Sequence, residues 1–368
     1  MQDQAILAVN GGSSSVKATL FQDDLRQDFH YTGIGQGEFP DHETAYRKLI
    51  AALHGRTLHA VGHRMTHGGD VAEAARLIDP QEQQRLQNLA PLAPLHQPHN
   101  LLGVALFAQQ RSVKQVACFD TAFHTTLPEL AQRLPVPNEL GCKRYGFHGL
   151  AYAHVARVLP DYLGERAKGR VIVAHLGSGA SLCLLENLKS VNTTMSLTPL
   201  GGLPMATRSG DLDPGVVLEL VRRHGLDDAS QWLYRKSGLY ALSRGLSGDM
   251  QTLLSSDTVD SRFAVVYFCR SVSAAIGALA ASAGGVDALV FTGGIGAHSP
   301  EIRAGICAPL AFFGIRLSPE ANNKDQQFIS ITAGKPVLRI KVDEESEIAR
   351  LTAAVLNTGN VEGKNEPA

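Results

Sequence analysis

Apolar runs closed by glycine-rich turns recur along the chain and set its expected architecture. In "AILAVNGGSSSVKATLF" (5–21) an apolar run meets a glycine-serine turn, after which Val16, Ala18 and Leu20 alternate with Lys17 and Thr19. That period of two predicts a strand rather than a helix, so the segment reads as a β-hairpin. The same design returns in "RVIVAHLGSGASLCLLEN" (170–187). Two such hairpins far apart in sequence suggest two domains of like topology. A third glycine turn, in "ALVFTGGIGAHSPEIR" (288–303), follows an apolar strand and leads into a helix, with Ser299, Pro300 and Glu301 as its cap and first turn. Between the turns, "DPQEQQRLQNLAPL" (79–92) is polar with spaced apolar residues, and "SRFAVVYFCRSVSAAIGALAAS" (261–282) suits a buried helix. Strands alternating with helices predict α/β domains with helices packed over sheets. The polar tail "NTGNVEGKNEPA" is expected to fray.

Composition narrows the function. With 368 residues, 44% of them hydrophobic and 19% charged, the chain has material for two domains with real cores. A net charge of −1 argues against nucleic acid or an anionic membrane held by bulk charge. No apolar run is expected to reach the ~18 residues of a membrane span, and the opening "MQDQAILAVN" does not read as a secretory signal. The five cysteines show neither CxxC nor zinc spacing, which predicts reduced core thiols and a cytoplasmic setting. Fourteen histidines include no HExxH pair, so a histidine-held metal is not expected.

The glycine turns have chemistry to offer. Glycine frees backbone N–H groups, serines add hydroxyls and Lys17 adds an ammonium, a combination suited to phosphate. The spacing is not that of a P-loop, and a plain hairpin turn is the competing reading. Four further stretches place charge among small residues: "GHRMTHGGD" with Arg64, "CFDTAFHTTLP" with Asp120, "RYGFHG" with His148, and "PMATRSGDLDPG" with Arg208. Singly, each has a bland explanation as a solvated arginine, a core histidine or a helix cap. Together with three anion loops they form a phosphoryl-transfer set, because that chemistry needs mainly positioning and positive charge around the equatorial oxygens.

Here the sequence resembles the acetate kinases, in the acetokinase branch of the actin and sugar-kinase superfamily. The carrying motifs are "NGGSSSVK", "HRMTHGG", "LAPLHQPHN", "FDTAFH", "RYGFHG", "HLGSGAS", "TPLGGLPMATRSGDLDP", "FTGGIG" and "VDEESEIAR", in the family's order and over nearly the whole chain. The resemblance implies two ribonuclease-H-like (actin-like ATPase) domains flanking a catalytic cleft, one of residues 1–119 plus 346–368 and one of 120–345. It also implies a cytoplasmic homodimer and Mg²⁺-dependent transfer (Mn²⁺ as the alternative ion) between ATP and acetate to give ADP and acetyl phosphate.

Residue by residue, Asn10, Ser13, Ser15 and Lys17 match the first phosphate loop, with Asn10 near the metal. Arg64 and Arg208 match the arginines that hold the acyl carboxylate and the transferring phosphoryl group. Asp120 matches the catalytic acid and His148 the residue that steadies the transition state. Thr66, Leu95, Phe147 and Pro199 fall where the family builds its acyl pocket, with Thr66 in place of a usual valine. His175, Leu176, Gly177, Ser178 and Gly179 match the second phosphate loop. Asp249, Met250 and Gln251, with Gly294, Ile295, Gly296, Ala297 and His298, fall on the adenosine side. Glu344 matches the Mg²⁺-linked glutamate, although the adjacent Glu345 leaves a one-residue ambiguity.

Departures from the family pattern concentrate on the nucleotide side. Ser178 replaces a usual asparagine, Gln251 a usual arginine, and Ala297 with His298 a Glu-Asn pair. The first domain is also shorter than usual ahead of Arg64. These changes leave three alternatives to an ATP-using acetate kinase: a propionate or other short-chain acyl kinase, an enzyme drawing on GTP or pyrophosphate, or a non-catalytic nucleotide-binding regulator. Asp120, His148, Arg64 and Arg208 together speak against the regulator, which needs no acyl-phosphate chemistry.

Overall fold

A computed structural model describes residues 5–35, 37–109 and 113–362. The chain divides into two compact units, one of 1–125, 148–154 and 343–368, the other of 126–147 and 155–342. Against the expected limits, residues 120–125, 148–154 and 343–345 group with the first unit.

In chain order the strands are β1 (Ile6–Gly11), β2 (Ser15–Gln22), β3 (Leu25–Thr32), β4 (Ala60–Met65), β5 (Ala75–Leu77), β6 (Lys114–Phe119), β7 (Val171–Leu176), β8 (Ala180–Glu186), β9 (Lys189–Thr193), β10 (Ala288–Thr292) and β11 (Val337–Arg339). The first helices are α1 (His42–Ala52), α2 (Pro80–Asn88), α3 (Gln97–Ala108), α4 (Glu129–Gln132) and α5 (Gly149–Leu163). After them come α6 (Pro214–Arg235), α7 (Gly238–Leu242), α8 (Met250–Leu254) and α9 (Val259–Ser282). The last are α10 (Gly293–His298), α11 (Pro300–Cys307), α12 (Pro319–Asn323) and α13 (Glu344–Glu362).

The first sheet has the order β3-β2-β1-β4-β6-β5, and the second β11-β10-β7-β8-β9. In each, an antiparallel hairpin and its next strand lead into two parallel neighbours: β1 with β4 and β6, and β7 with β10 and β11. The sheets therefore share one ribonuclease-H-like strand plan, as the paired hairpins in the sequence foretold. Side-chain alternation distributes the first sheet's core over two faces. Leu7 and Val9 pack with Tyr46 and Leu49 of α1 and with Leu106 and Phe107 of α3, while Ala8 packs with Ile348 and Leu351 of α13. Gly62 lets α13 approach β4, since a Cβ there would lie 2.1 Å from the Thr352 hydroxyl.

Ser299 is the N-cap of α11, with Pro300 and Glu301 in its first turn as expected, and a short helix, α10, precedes it directly after β10. Two other local expectations need correcting. The tail does not fray at Asn357, because α13 runs to Glu362; residues 363–368 lie outside the described ones. Finally, α9 is long and apolar enough to cross a membrane by length and composition. It is a core helix on one side, where Ala264, Phe268, Val272 and Ile276 are buried in the second unit.

Candidate active site

The carboxyl ends of parallel strands are where an open α/β sheet offers its residues to a ligand, and the first unit gathers its charges there. Asn10 and Arg64 sit one residue before the ends of β1 and β4, and Asp120 follows β6. Arg64 donates to Asp120 Oδ2 from Nε (3.0 Å) and Nη2 (2.7 Å), and from Nη1 to Asn10 Oδ1 (3.1 Å). Asn10 Nδ2 in turn donates to Glu344 Oε2 (2.8 Å) and Glu345 Oε1 (3.0 Å). The glutamates open α13, where the positive end of the helix dipole favours carboxylates. Both reach Asn10, and Glu345 thereby joins the cluster beside Glu344.

Burial works against every charge here. It opposes ionisation of Arg64, but Asp120, Glu344 and Glu345 outweigh it and hold the guanidinium pKa well above its ordinary value. Burial raises the pKa of Asp120, with Arg64 pulling it down and Glu344 pushing it up. Glu345 is also raised, by burial and then by Glu344, against the Asn10 hydrogen bond and the charge of Lys17. Arg64 and Lys17 thus face a cluster of three carboxyl groups. Such a set of oxygen donors fits a hard cation, and Mg²⁺ asks for only one or two carboxylates because it keeps its waters. Among the described residues no group of three or more His, Cys, Asp or Glu forms a metal cage.

The first glycine turn closes the β1–β2 hairpin, with Gly12 N–H donating to the Ser15 carbonyl at 2.8 Å. Lys17 lies opposite Asn10 in the register, and Ser13 is exposed. Thr66 is 2% exposed, and its hydroxyl donates to Asn100 Oδ1 at 3.2 Å, so the polar atom that replaces a methyl of valine is occupied inside the protein. Leu95 is half-buried just ahead of α3. His148 adopts φ +59°, a left-handed conformation costly for a residue with a side chain. Gly149 follows because nothing larger fits: a Cβ there would stand 1.9 Å from the Asp120 carbonyl oxygen.

The second unit brings its own loops together. Gly177 N–H donates to Gly179 O within the β7–β8 turn, and Ala206 N–H donates to the Ser178 carbonyl at 3.2 Å. A Cβ on Gly248 would meet Ala206 O at 2.6 Å, and one on Gly177 would lie 3.9 Å from Gly294 N. The loops of His175–Gly179, Arg208, Asp249 and Gly294–Gly296 are thus neighbours. Arg208, 7% exposed, donates to the Pro199 carbonyl at 2.7 Å, and Gly238 allows its loop to pack closely. Buried Arg303 steadies the third turn by donating to Gly296 O and Asn322, a role no motif had flagged.

Several of the expected residues also have partners within their own unit. Met250 belongs to the hydrophobic core, as does Phe147 at 1% exposure, and Ala297 is buried. Asp249 is the N-cap of α8, accepting from Thr252 N–H at 2.8 Å through Oδ1. Gln251 and His298 are exposed, and Ile295 packs partly against the core.

Known proteins give this geometry its context. The sequence profile described as the acetokinase family matches residues 35–350. An acetate kinase of Nitrobacter hamburgensis is 47% identical over 389 residues, covering 96% of this chain and 96% of the relative. One from Rhodopseudomonas palustris (strain TIE-1) is 40% identical over 385 residues, covering 94% and 96%. Among solved structures, an acetate kinase from Porphyromonas gingivalis superposes with a TM-score of 0.83 at 32% identity, covering 96% of this chain and 100% of that one. A propionate kinase from Francisella tularensis gives 0.83 at 29% identity, covering 95% and 98%. With its profile matched over most of its length and relatives this similar over nearly all of it, the chain belongs to the acetokinase family.

Proposed function

We propose that the chain transfers a phosphoryl group between ATP and acetate, with the Asn10–Arg64–Asp120–Glu344 cluster as the reacting end. Family membership makes it an acetate kinase, a phosphotransferase with a carboxyl acceptor. The observation that carries the reading is the buried Arg64–Asp120 pair joined through Asn10 to two glutamates. Arg64 and Arg208 neutralise carboxylate and phosphoryl oxygens, Asp120 orients Arg64, and His148 steadies charge in the transition state. Ser13, Ser15 and Lys17 hold donor phosphates, while His175–Gly179 and Gly294–Gly296 hold the rest of the nucleotide. Mg²⁺, when bound, shields the phosphate charge; Asn10 and Glu344 would hold it through water.

A hydroxamate assay with acetate, ATP and Mg²⁺ tests the proposal: acyl phosphate is expected, and its absence with every short acid favours a regulator. Propionate is expected to react less well, since a small apolar pocket discriminates by only ~1–3 kcal/mol per methylene. The Thr66 hydroxyl is engaged by Asn100 and does not change the pocket's size, so butyrate outperforming acetate would contradict this. The altered Ser178, Gln251, Ala297 and His298 predict a weak grip on the base. We therefore expect a raised KM for ATP and little preference over GTP, with pyrophosphate a poorer donor. A tight, ATP-exclusive enzyme would refute the donor reading.

The metal assignment has its own check. Replacing Glu344 by Ala should raise the Mg²⁺ concentration needed for half-maximal rate, because one of few carboxylates is lost. An unchanged requirement moves the role to Glu345. α9 leaves Val259, Phe263 and Val266 more than half exposed, and α6 leaves Leu218 and Leu226 so. Such apolar area supports a homodimer formed through the second unit, and a monomeric mass in light scattering would count against it. Buried, unpaired Cys118, Cys183, Cys269 and Cys307 support a reducing, cytoplasmic setting.

A further inference from the structure

Two side chains outside the reacting cluster grip the first glycine turn from the helix side. Asn100 of α3 is 2% exposed. Its Nδ2 donates to the Gly11 carbonyl at 2.9 Å, and its Oδ1 accepts from the Thr66 hydroxyl at 3.2 Å and the Thr66 N–H at 3.4 Å. A backbone carbonyl can only accept and a backbone N–H only donate, so the amide has one workable orientation. His42 of α1 places Nε2 2.8 Å from the Gly12 carbonyl while its ring stacks on His99, with centroids 3.6 Å apart. Gly11 itself is pressed against α1: a Cβ there would lie 2.6 Å from the Tyr46 hydroxyl.

These contacts fix more than position. In a trans peptide the C=O and the following N–H point in opposite directions. Holding the Gly12 carbonyl toward His42 therefore turns the Ser13 N–H away from α1. Holding the Gly11 carbonyl toward Asn100 sets the Gly12 N–H for its bond to Ser15. We propose that Asn100 and His42 are positioning residues that clamp the Gly11–Ser15 turn, His42 to α1 and Asn100 to the end of β4, so that the turn meets a phosphate in a preset conformation. Asn100 does so while holding Thr66, two residues beyond Arg64, which ties the donor loop to the strand that carries the reacting arginine. The inference rests on the reading of this turn as a phosphate loop. A set conformation matters because binding then need not order the glycines, whose backbone freedom is the largest of any residue.

The experiment combines hydrogen exchange in the free protein with steady-state kinetics for Asn100→Ala, Asn100→Asp and His42→Phe. Asn100→Asp keeps the acceptor for Thr66 and removes the donor for Gly11; His42→Phe keeps a ring against His99 and removes the donor for Gly12. Exchange is expected to quicken in the peptide covering residues 8–20 and to stay unchanged over β6 and the second unit. His42→Phe should raise KM for ATP about threefold to tenfold with KM for acetate unmoved, as loss of one buried hydrogen bond implies. The Asn100 variants should raise both. Unchanged exchange across the turn in the folded variants overturns the clamp, and so does faster exchange spread over the whole first unit. If the unaltered protein makes no acyl phosphate, the kinase reading fails while the exchange result still decides the clamp.

Discussion

Arg64→Ala is expected to lower turnover by about a hundredfold or more and to destabilise the first unit by roughly 3–5 kcal/mol. The two effects have separate origins. Turnover falls because a preorganised guanidinium at developing charge is lost, where one such donor is worth about two to three orders of magnitude. Stability falls because Asp120, 1% exposed, keeps its carboxyl but loses its ion-pair partner, and Asn10 loses a donor to its Oδ1. Removing one member of a buried pair leaves an uncompensated charge, which costs more than the pair contributed. Arg64→Lys separates the two. It restores a cation beside Asp120 but cannot reproduce a fork that spans Asp120 and Asn10. We expect it to recover most of the stability and little of the rate, read by thermal denaturation and the hydroxamate assay. A folded Arg64→Ala protein of near-native rate would remove Arg64 from the reacting centre.

Gly149→Ala should be as damaging, although Gly149 has no side chain to contribute. Its Cβ would sit 1.9 Å from the Asp120 carbonyl oxygen and 2.9 Å from the Asp120 carbonyl carbon and the Phe123 Cβ. These are backbone atoms and a Cβ, which cannot swing aside as the end of a long side chain could. Relief requires either the start of α5 or the Asp120 loop to shift. The first would move His148, already held at φ +59°, and the second would move the carboxyl that pairs with Arg64. A methyl forced into such a space costs typically 1–3 kcal/mol and sometimes more. Misplacing a reacting group by about an ångström can cost a hundredfold in rate. We expect a melting temperature lower by several degrees and activity reduced at least a hundredfold. Wild-type activity in this variant would show that the close approach between α5 and Asp120 is unimportant to the chemistry.

Some of this was legible in the chain alone. Alternation across the two hairpins announced both sheets, because a strand's side chains alternate faces and that period needs no distant partner to be visible. The glycines of the three turns marked where backbone must bend tightly, and the ordered motifs named Asn10, Arg64, Asp120 and Glu344. What the sequence could not determine were the relations among them. Asn10 and Glu344 are 334 positions apart, and only α13 packing back over β1 and β4, through the gap left by Gly62, brings them to 2.8 Å. Tertiary structure likewise decided that Met250 and Phe147 are core side chains. It decided that α9, apolar enough for a membrane, buries one face in a protein core. It also turned the Thr66 hydroxyl toward Asn100, where a matching acceptor was waiting. Local sequence sets the period of an element and the freedom of its turns; which faces are buried and which charges meet depends on long-range packing, and no window of neighbouring residues contains it.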